Sequence, residues 1–314
     1  MHRATSPSEI HYLHASNHIL TMSPELIHAR VVANFRKTVA VQVDGTGEIE
    51  QAYPLAKVPL LVAGDQVSCL RDDGLLRVQE LSTRDSVLAR ADRYSVKPLA
   101  ANLTHLGIVS ANPPGIDTLL IDQFCLAAHQ AGVGAVIIFN KADRMTDEER
   151  VSAEELLNTY KSIGYPAVMI DTKTEEGMQP LMDELPGRTL TMVGASGVGK
   201  SSIIQRLLPD KHLVVGAVSK ATGLGSHTTS VTFWYDMPGD GAIIDSPGVR
   251  QFSVSHLPNE LVRKGYHEMA RASELCRFGD CSHTVEPACG VLDGIKSGEI
   301  ARWRYDNYKK LAEI

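Results

Sequence analysis

The 314 residues are 43% apolar and 22% charged with a net charge of −6, the balance of an ordinary globular chain of two or three domains. No apolar run is long enough for a membrane span and the N-terminus has no apolar signal core, so a cytoplasmic protein with no membrane partner is expected. Residues 26–84 and 256–314 each hold basic and acidic side chains in equal number, which excludes a bulk-basic nucleic-acid binder and leaves room only for a local patch.

In chain order, residues 1–23 carry His2, His11, His14 and His18 at spacings that form no compact ligand set, so a flexible tail is expected. Residues 24–84 read as five short strands: "IHARVVANF", "TVAVQVD", "EIEQAY", "DQVSCL" and "LLRVQEL", separated by Gly, Asp and Pro. Alternation and β-branched enrichment support them. Five strands in sixty residues make a small barrel; an OB-fold is the commonest such object, and another small barrel with no ligand of its own fits the pattern as well. Residues 85–104 read as a charged connector. Beyond it, strands ("HLGIVSAN", "GAVIIFN", "PAVMI", "RTLTMVG", "GAIIDSPG") alternate with helical stretches at 116–132 and 145–164, the pattern of a parallel α/β sheet. After residue 255 the strands stop, and a helical stretch, a Cys/His-rich loop and a helix from about Gly294 to the C-terminus follow.

The stretch Gly194–Ala195–Ser196–Gly197–Val198–Gly199–Lys200–Ser201–Ser202 contains G-x-x-x-x-G-K-[ST] between a strand and a helix. That context defines a phosphate-binding loop: glycines admit backbone N–H groups close to phosphate, and the helix N-terminus adds positive potential. Lys200 is expected to reach the β- and γ-phosphates and stabilise developing charge, and Ser201 to ligate Mg²⁺. Asn140–Lys141–Ala142–Asp143 follows an apolar strand. A carboxylate placed there accepts the paired donors of a guanine edge. Adenine would leave it buried and unpaired. GTP and GDP are therefore the expected ligands, with Asn140 bracing the loop and the Lys141 stem along the base.

Asp245 ends a strand and opens "DSPG", so it is expected to hold Mg²⁺ through water, with the Gly248 N–H at the γ-phosphate. Thr228 or Thr229 in "GLGSHTTS" would complete the Mg²⁺ shell, and the sequence does not choose between them. Many GTPases place a water-orienting glutamine where Val249 stands, so His227 is the candidate to act on the attacking water. The base-reading loop precedes the phosphate loop, the reverse of the usual GTPase order. In an open parallel sheet the ligand loops gather at the strands' carboxyl ends whichever strand comes first, so a circularly permuted GTPase accounts for both motifs.

Of the five cysteines, three cluster as Cys276-x₄-Cys281-x-His283-x₅-Cys289. Three thiolates and an imidazole make a complete tetrahedral set for one structural Zn²⁺.

The stretches "KPLAANLTHLGIV", "NKAD", "GASGVGKSS", "GSHTTS", "DSPGVRQF" and "CRFGDCSHTVEPACGV", in this order, resemble the ribosome small-subunit-dependent GTPase A family from about residue 26 onward. The resemblance implies an OB-fold at 24–84, a circularly permuted P-loop GTPase domain at 85–255 and a small, mainly helical zinc-binding domain at 256–314. It also implies late maturation of the small (30S) ribosomal subunit, with GTP hydrolysis stimulated by that subunit and rRNA met by the two outer domains. It places the proposed hydrolytic histidine at His227. Ser226 stands where an arginine is common in the family, and "DTKTEEG" after "PAVMI" departs from the usual Ser-Ala guanine contact. A monomer is expected. The rival reading is a GTP-gated RNA- or ribosome-binding module in which turnover is incidental. The direct run from "DSPG" to the C-terminal region suggests that the γ-phosphate state repositions that region.

Overall fold

The computed structural model describes residues 26–91, 96–223, 231–246 and 258–313. The N-terminal strands are β1 (Ile27–Asn34), β2 (Val39–Val43), β3 (Ile49–Pro54), β4 (Gln66–Asp72) and β5 (Leu75–Leu81). Antiparallel β1–β2, β2–β3, β4–β5 and β1–β4 pairings and a parallel β3–β5 pairing close the order β1-β2-β3-β5-β4-β1. This is the OB-fold barrel. The alternating residues Ala29 and Val31, Val39 and Val41, Val67 and Cys69, and Leu76 and Val78 fill it. The mixture of small and branched side chains suits a five-stranded interior. Arg84 closes the barrel by gripping the fully buried Asp65 with Nε and Nη2, at 2.7 and 2.8 Å.

Residues 85–104 differ from the expected connector. β6 (Val87–Ala91) and β7 (Val96–Ala101) form an antiparallel hairpin with a bulge between Leu88 and Ala89. Leu88, Ala100 and Ala101 are buried, and the Ala101 N–H donates to Ala63 O of the barrel. The bulge breaks the strict alternation, and charged neighbours mask the strands' short apolar face.

The central sheet runs β10-β9-β8-β11-β13-β12. Its parallel strands are β8 (His105–Ala111), β9 (Gly134–Asn140), β10 (Ala167–Met169), β11 (Thr189–Val193) and β13 (Gly241–Asp245); β12 (Phe233–Met237) is antiparallel to β13. β12 also pairs with β1 at Phe233 and Ala33, which joins barrel and sheet. The helices are α1 (Thr118–Gln130), α2 (Asp147–Ser162), α3 (Glu175–Met182), α4 (Lys200–Leu207) and α5 (Lys211–Thr222). α2 starts with a capping box, Thr146 and Glu149 each bonding the other's backbone N–H, and three acidic residues in its first turn complement the helix dipole.

The C-terminal region holds α6 (Asn259–Gly265), α7 (His267–Ser273), α8 (Gly290–Ser297) and α9 (Arg302–Ala312). The single terminal helix expected from Gly294 is two helices. Gly298 takes φ +82° and ends α8 in the left-handed conformation that glycine accepts most readily. Val262, Tyr266, Met269, Val291, Ile300, Tyr305 and Tyr308 form a core that includes Leu126 of α1. Among the described residues, no helix is long and apolar enough to cross a membrane.

Candidate functional site

The parallel strands bring the two nucleotide motifs to one edge of the sheet. β9 ends in Asn140, β8 lies between, and β11 runs directly into the phosphate loop. β13 lies beside β11 with Ile243 opposite Leu190, so Asp245 ends at the same edge.

Gly194, Gly197 and Gly199 all take positive φ in this loop. A Cβ on Gly194 would sit 2.1 Å from Val109 O, and one on Gly199 would sit 2.2 Å from Asn140 Nδ2. Gly194 and Gly199 are therefore demanded by close approach as well as by backbone conformation, and Gly197 by conformation alone. Val198 is buried, and Lys200 is nearly so at the first position of α4. Its Nζ donates to Gly194 O at 2.8 Å and to Ala195 O at 2.6 Å, which holds the ammonium over the loop. Ser201 and Ser202 are exposed in the first turn of α4.

The Asn140–Asp143 loop is tied to the phosphate loop by direct bonds. Asn140, 1% exposed, donates from Nδ2 to Val198 O at 2.9 Å. Its Oδ1 is buried with no protein partner among the described residues, a demand typical of a loop built around something further. Lys141 takes φ +66° and reaches back to donate from Nζ to Pro113 O (2.9 Å) and Gly197 O (2.7 Å). The Ala142 N–H donates to Ile170 O, and Ala142 O accepts from Arg150 of α2. Asp143 is the middle residue of a one-turn 3₁₀ helix, Ala142–Arg144, and is exposed. His227, Thr228, Thr229 and Gly248 lie outside the described residues.

One residue with no place in the expected motif set stands at this site. Lys173 Nζ lies 2.9 Å from Asp143 Oδ2. No local sequence pattern links a lysine in the loop after β10 to Asp143, so the sequence carried no signal for it.

At the opposite end of the chain, the ligand atoms of Cys276, Cys281, His283 and Cys289 all lie within 4.8 Å of one another. Cys276 and Cys289 Sγ are 3.8 Å apart, and His283 Nδ1 is 3.6 and 3.4 Å from them. A tetrahedral ion with ~2.3 Å metal–sulfur bonds requires a sulfur–sulfur edge of roughly 3.8 Å. The donor set therefore fits one four-coordinate metal and leaves no position for substrate. Burial, and then the neighbouring Cys289 and Cys276 sulfurs, push the Cys281 thiol up to about 12. Burial, and then the charge of Arg263, lower the His283 pKa and favour the neutral imidazole that a metal needs. Glu286 accepts from the N–H groups of Ser282, Thr284 and Val285 and from the Ser282 hydroxyl, which fixes the loop between the ligands. The two other cysteines, Cys69 and Cys125, are buried inside the fold; burial, then the charge of Glu50, raises the Cys69 thiol to about 11. Both are packing residues.

A phosphate loop and a base-reading loop at one sheet edge, in reversed chain order, define a circularly permuted P-loop GTPase. The family model for the RsgA GTPase matches residues 81–255. The chain is 37% identical over 273 residues to a protein of Haemophilus influenzae (strain PittEE) named small ribosomal subunit biogenesis GTPase RsgA, covering 85% of this chain and 79% of that one. A protein of the same name from Ectopseudomonas mendocina (strain ymp) is 37% identical over 290 residues, covering 90% and 83%. The solved structure of YjeQ from Thermotoga maritima superposes with a TM-score of 0.74 at 27% identity, over 92% of this chain and 98% of that one. YloQ, a circularly permuted GTPase, gives a TM-score of 0.73 at 19% identity over 96% and 97%, a likeness of fold. The chain belongs to the RsgA GTPase family and hydrolyses GTP.

Proposed function

We propose that this GTPase acts in late maturation of the small ribosomal subunit and that the subunit stimulates its turnover. The observation that carries this reading is the relatives' shared name, held at 37% identity across most of the chain. The chain divides into an OB-fold at 24–84, the GTPase domain at 85–255 and a zinc-binding domain at 256–314, the outer two contacting rRNA. It works as a cytoplasmic monomer.

Asp143 and Asn140 read guanine, Lys141 and Ala142 shape their loop, and residues 194–202 bind the phosphates. Lys200, already held over the loop at the head of α4, stabilises charge on the transferred group. Ser201, Asp245 and Thr228 or Thr229 would hold Mg²⁺, which neutralises phosphate charge. The Gly248 N–H meets the γ-phosphate, and His227 acts on the attacking water. Cys276, Cys281, His283 and Cys289 hold structural Zn²⁺.

One experiment tests the scheme: GTP hydrolysis by the full chain and by its His227→Ala variant, alone and with purified small or large subunits. Stimulation by the small subunit alone, reduced at least tenfold by His227→Ala with GTP affinity intact, is expected. Unchanged turnover in the variant removes His227 from the mechanism. No stimulation by either subunit, with GTP-dependent docking retained, replaces the reading with a nucleotide-gated binding module.

A further inference from the structure

We propose that Lys173 is a positioning residue for guanine selectivity, its ammonium orienting the Asp143 carboxylate toward the base edge. The inference rests on Asp143 reading guanine. Three observations carry it.

The first is the contact itself. Lys173 Nζ sits 2.9 Å from Asp143 Oδ2, where the carboxylate side chain is 21% exposed and the lysine side chain 64%. The lysine therefore caps the Asp143 carboxylate from the solvent side. Arg144 Nε is a second cation near the same oxygen, at 3.9 Å, too long for a hydrogen bond.

The second is that the loop is built to hold Lys173 there. Asp171 Oδ1 accepts from the N–H groups of Lys173 (3.0 Å) and Thr174 (3.1 Å). Thr174 Oγ1 then accepts from the Gly177 N–H and starts α3. Gly177 has no space for a side chain, since a Cβ would lie 2.1 Å from Asp171 Oδ2.

The third is that this loop and the base-reading loop are tied together. The Ile170 N–H donates to Phe139 O at 2.8 Å and the Ala142 N–H to Ile170 O at 3.0 Å. Movement of one loop therefore carries the other.

The chemistry follows from the carboxylate. To accept both guanine donors, Asp143 must present its two oxygens in the plane of the base, and its terminal torsion is intrinsically broad. An ion pair on one oxygen narrows that torsion. The same oxygen keeps a second lone-pair site for the base. The ammonium also offsets the desolvation of the carboxylate when the base covers it. A freely exposed ion pair of this kind would contribute little, so the effect must be read in nucleotide affinity rather than stability.

The test is a double-mutant cycle on the full chain, with fluorescent GDP and xanthosine diphosphate as probes. Asp143→Asn alone tests the underlying reading: affinity for GDP falls and affinity for xanthosine diphosphate rises. If guanine preference survives Asp143→Asn, the base assignment is wrong whatever Lys173 does. In the parent chain, Lys173→Ala is expected to weaken GDP binding about three- to tenfold, Lys173→Arg to retain affinity, and the loss to shrink at high salt. In the Asp143→Asn background, Lys173→Ala is expected to change GDP affinity less than about twofold. Equal losses in both backgrounds would mean that the lysine only supports the loop. No loss in the parent chain would mean an idle surface pair. Either result overturns the proposal.

Discussion

At Gly199 the backbone turns with φ +97° and passes so close to Asn140 that a Cβ would lie 2.2 Å from its Nδ2. An L-residue there meets two penalties, a left-handed backbone costing roughly 1–2 kcal/mol and the loss of the Asn140–Val198 bond that joins the two nucleotide loops. Gly199→Ala is therefore expected to weaken binding of a fluorescent GTP analogue at least tenfold, while circular dichroism stays that of the parent. Affinity within threefold of the parent would show that the two loops do not depend on this contact. The phosphate-loop glycines were legible in the sequence because their spacing is a direct consequence of backbone approach to phosphate. Lys173 was not legible: its partner lies thirty residues away, and nothing in a local pattern links a rim lysine to a carboxylate on another strand's loop.

At the scale of elements, the Cys/His loop and α8 share a residue. Cys289 Sγ, one of the four clustered ligands, also accepts from the Leu292 N–H and caps α8. Cys281 caps no helix among the described residues, so its replacement leaves the α8 cap in place. Cys281→Ala is expected to release about one zinc per chain, read by elemental analysis of protein purified without chelator. Faster amide exchange should follow in α7 and α8, since structural zinc supplies folding free energy directly. Parent chain that carries no zinc would overturn the assignment. The ligand spacing was legible because donor chemistry restricts it to Cys and His. The helix boundaries around it were not. α8 starts at Gly290, four residues before the expected start, because the Cys289 thiol serves as its cap. The hairpin at 87–101 was hidden in the same way: its burial comes from docking against Ala63 and Gly64 of the barrel, a tertiary contact that local charge does not reveal.

Across the whole molecule, the permuted order leaves the C-terminal helices packed on α1. One buried ion cluster spans the contact. Arg304, 2% exposed, donates to Glu268 of α7 at 2.8 Å and to Asp122 of α1. Asp122 also accepts from Tyr160 of α2, Tyr266 and Asn307. Burial works against the guanidinium charge, but the carboxylates of Asp122 and Glu268 hold its pKa well above the ordinary range. The Arg304 guanidinium also lies 4.2 Å from the centre of the Tyr266 ring. If the nucleotide state repositions the C-terminal region, as the run from "DSPG" suggested, that region must carry α1 with it or break this cluster. Arg304→Met keeps the side-chain volume and removes the charge, leaving two buried carboxylates without their cation. Breaking a buried pair in this way costs roughly 3–5 kcal/mol, so a large fall in the urea midpoint is expected, together with faster proteolysis between the GTPase sheet and the C-terminal helices. Adding Asp122→Asn and Glu268→Gln to Arg304→Met removes the orphaned charges and should recover part of the loss. A midpoint unchanged in Arg304→Met would mean that apolar packing around Leu126 holds the two regions together and the ion cluster contributes nothing to their attachment; a triple variant no more stable than the single one would mean that the loss comes from the removed hydrogen bonds and ring contact of Arg304 rather than from orphaned charge.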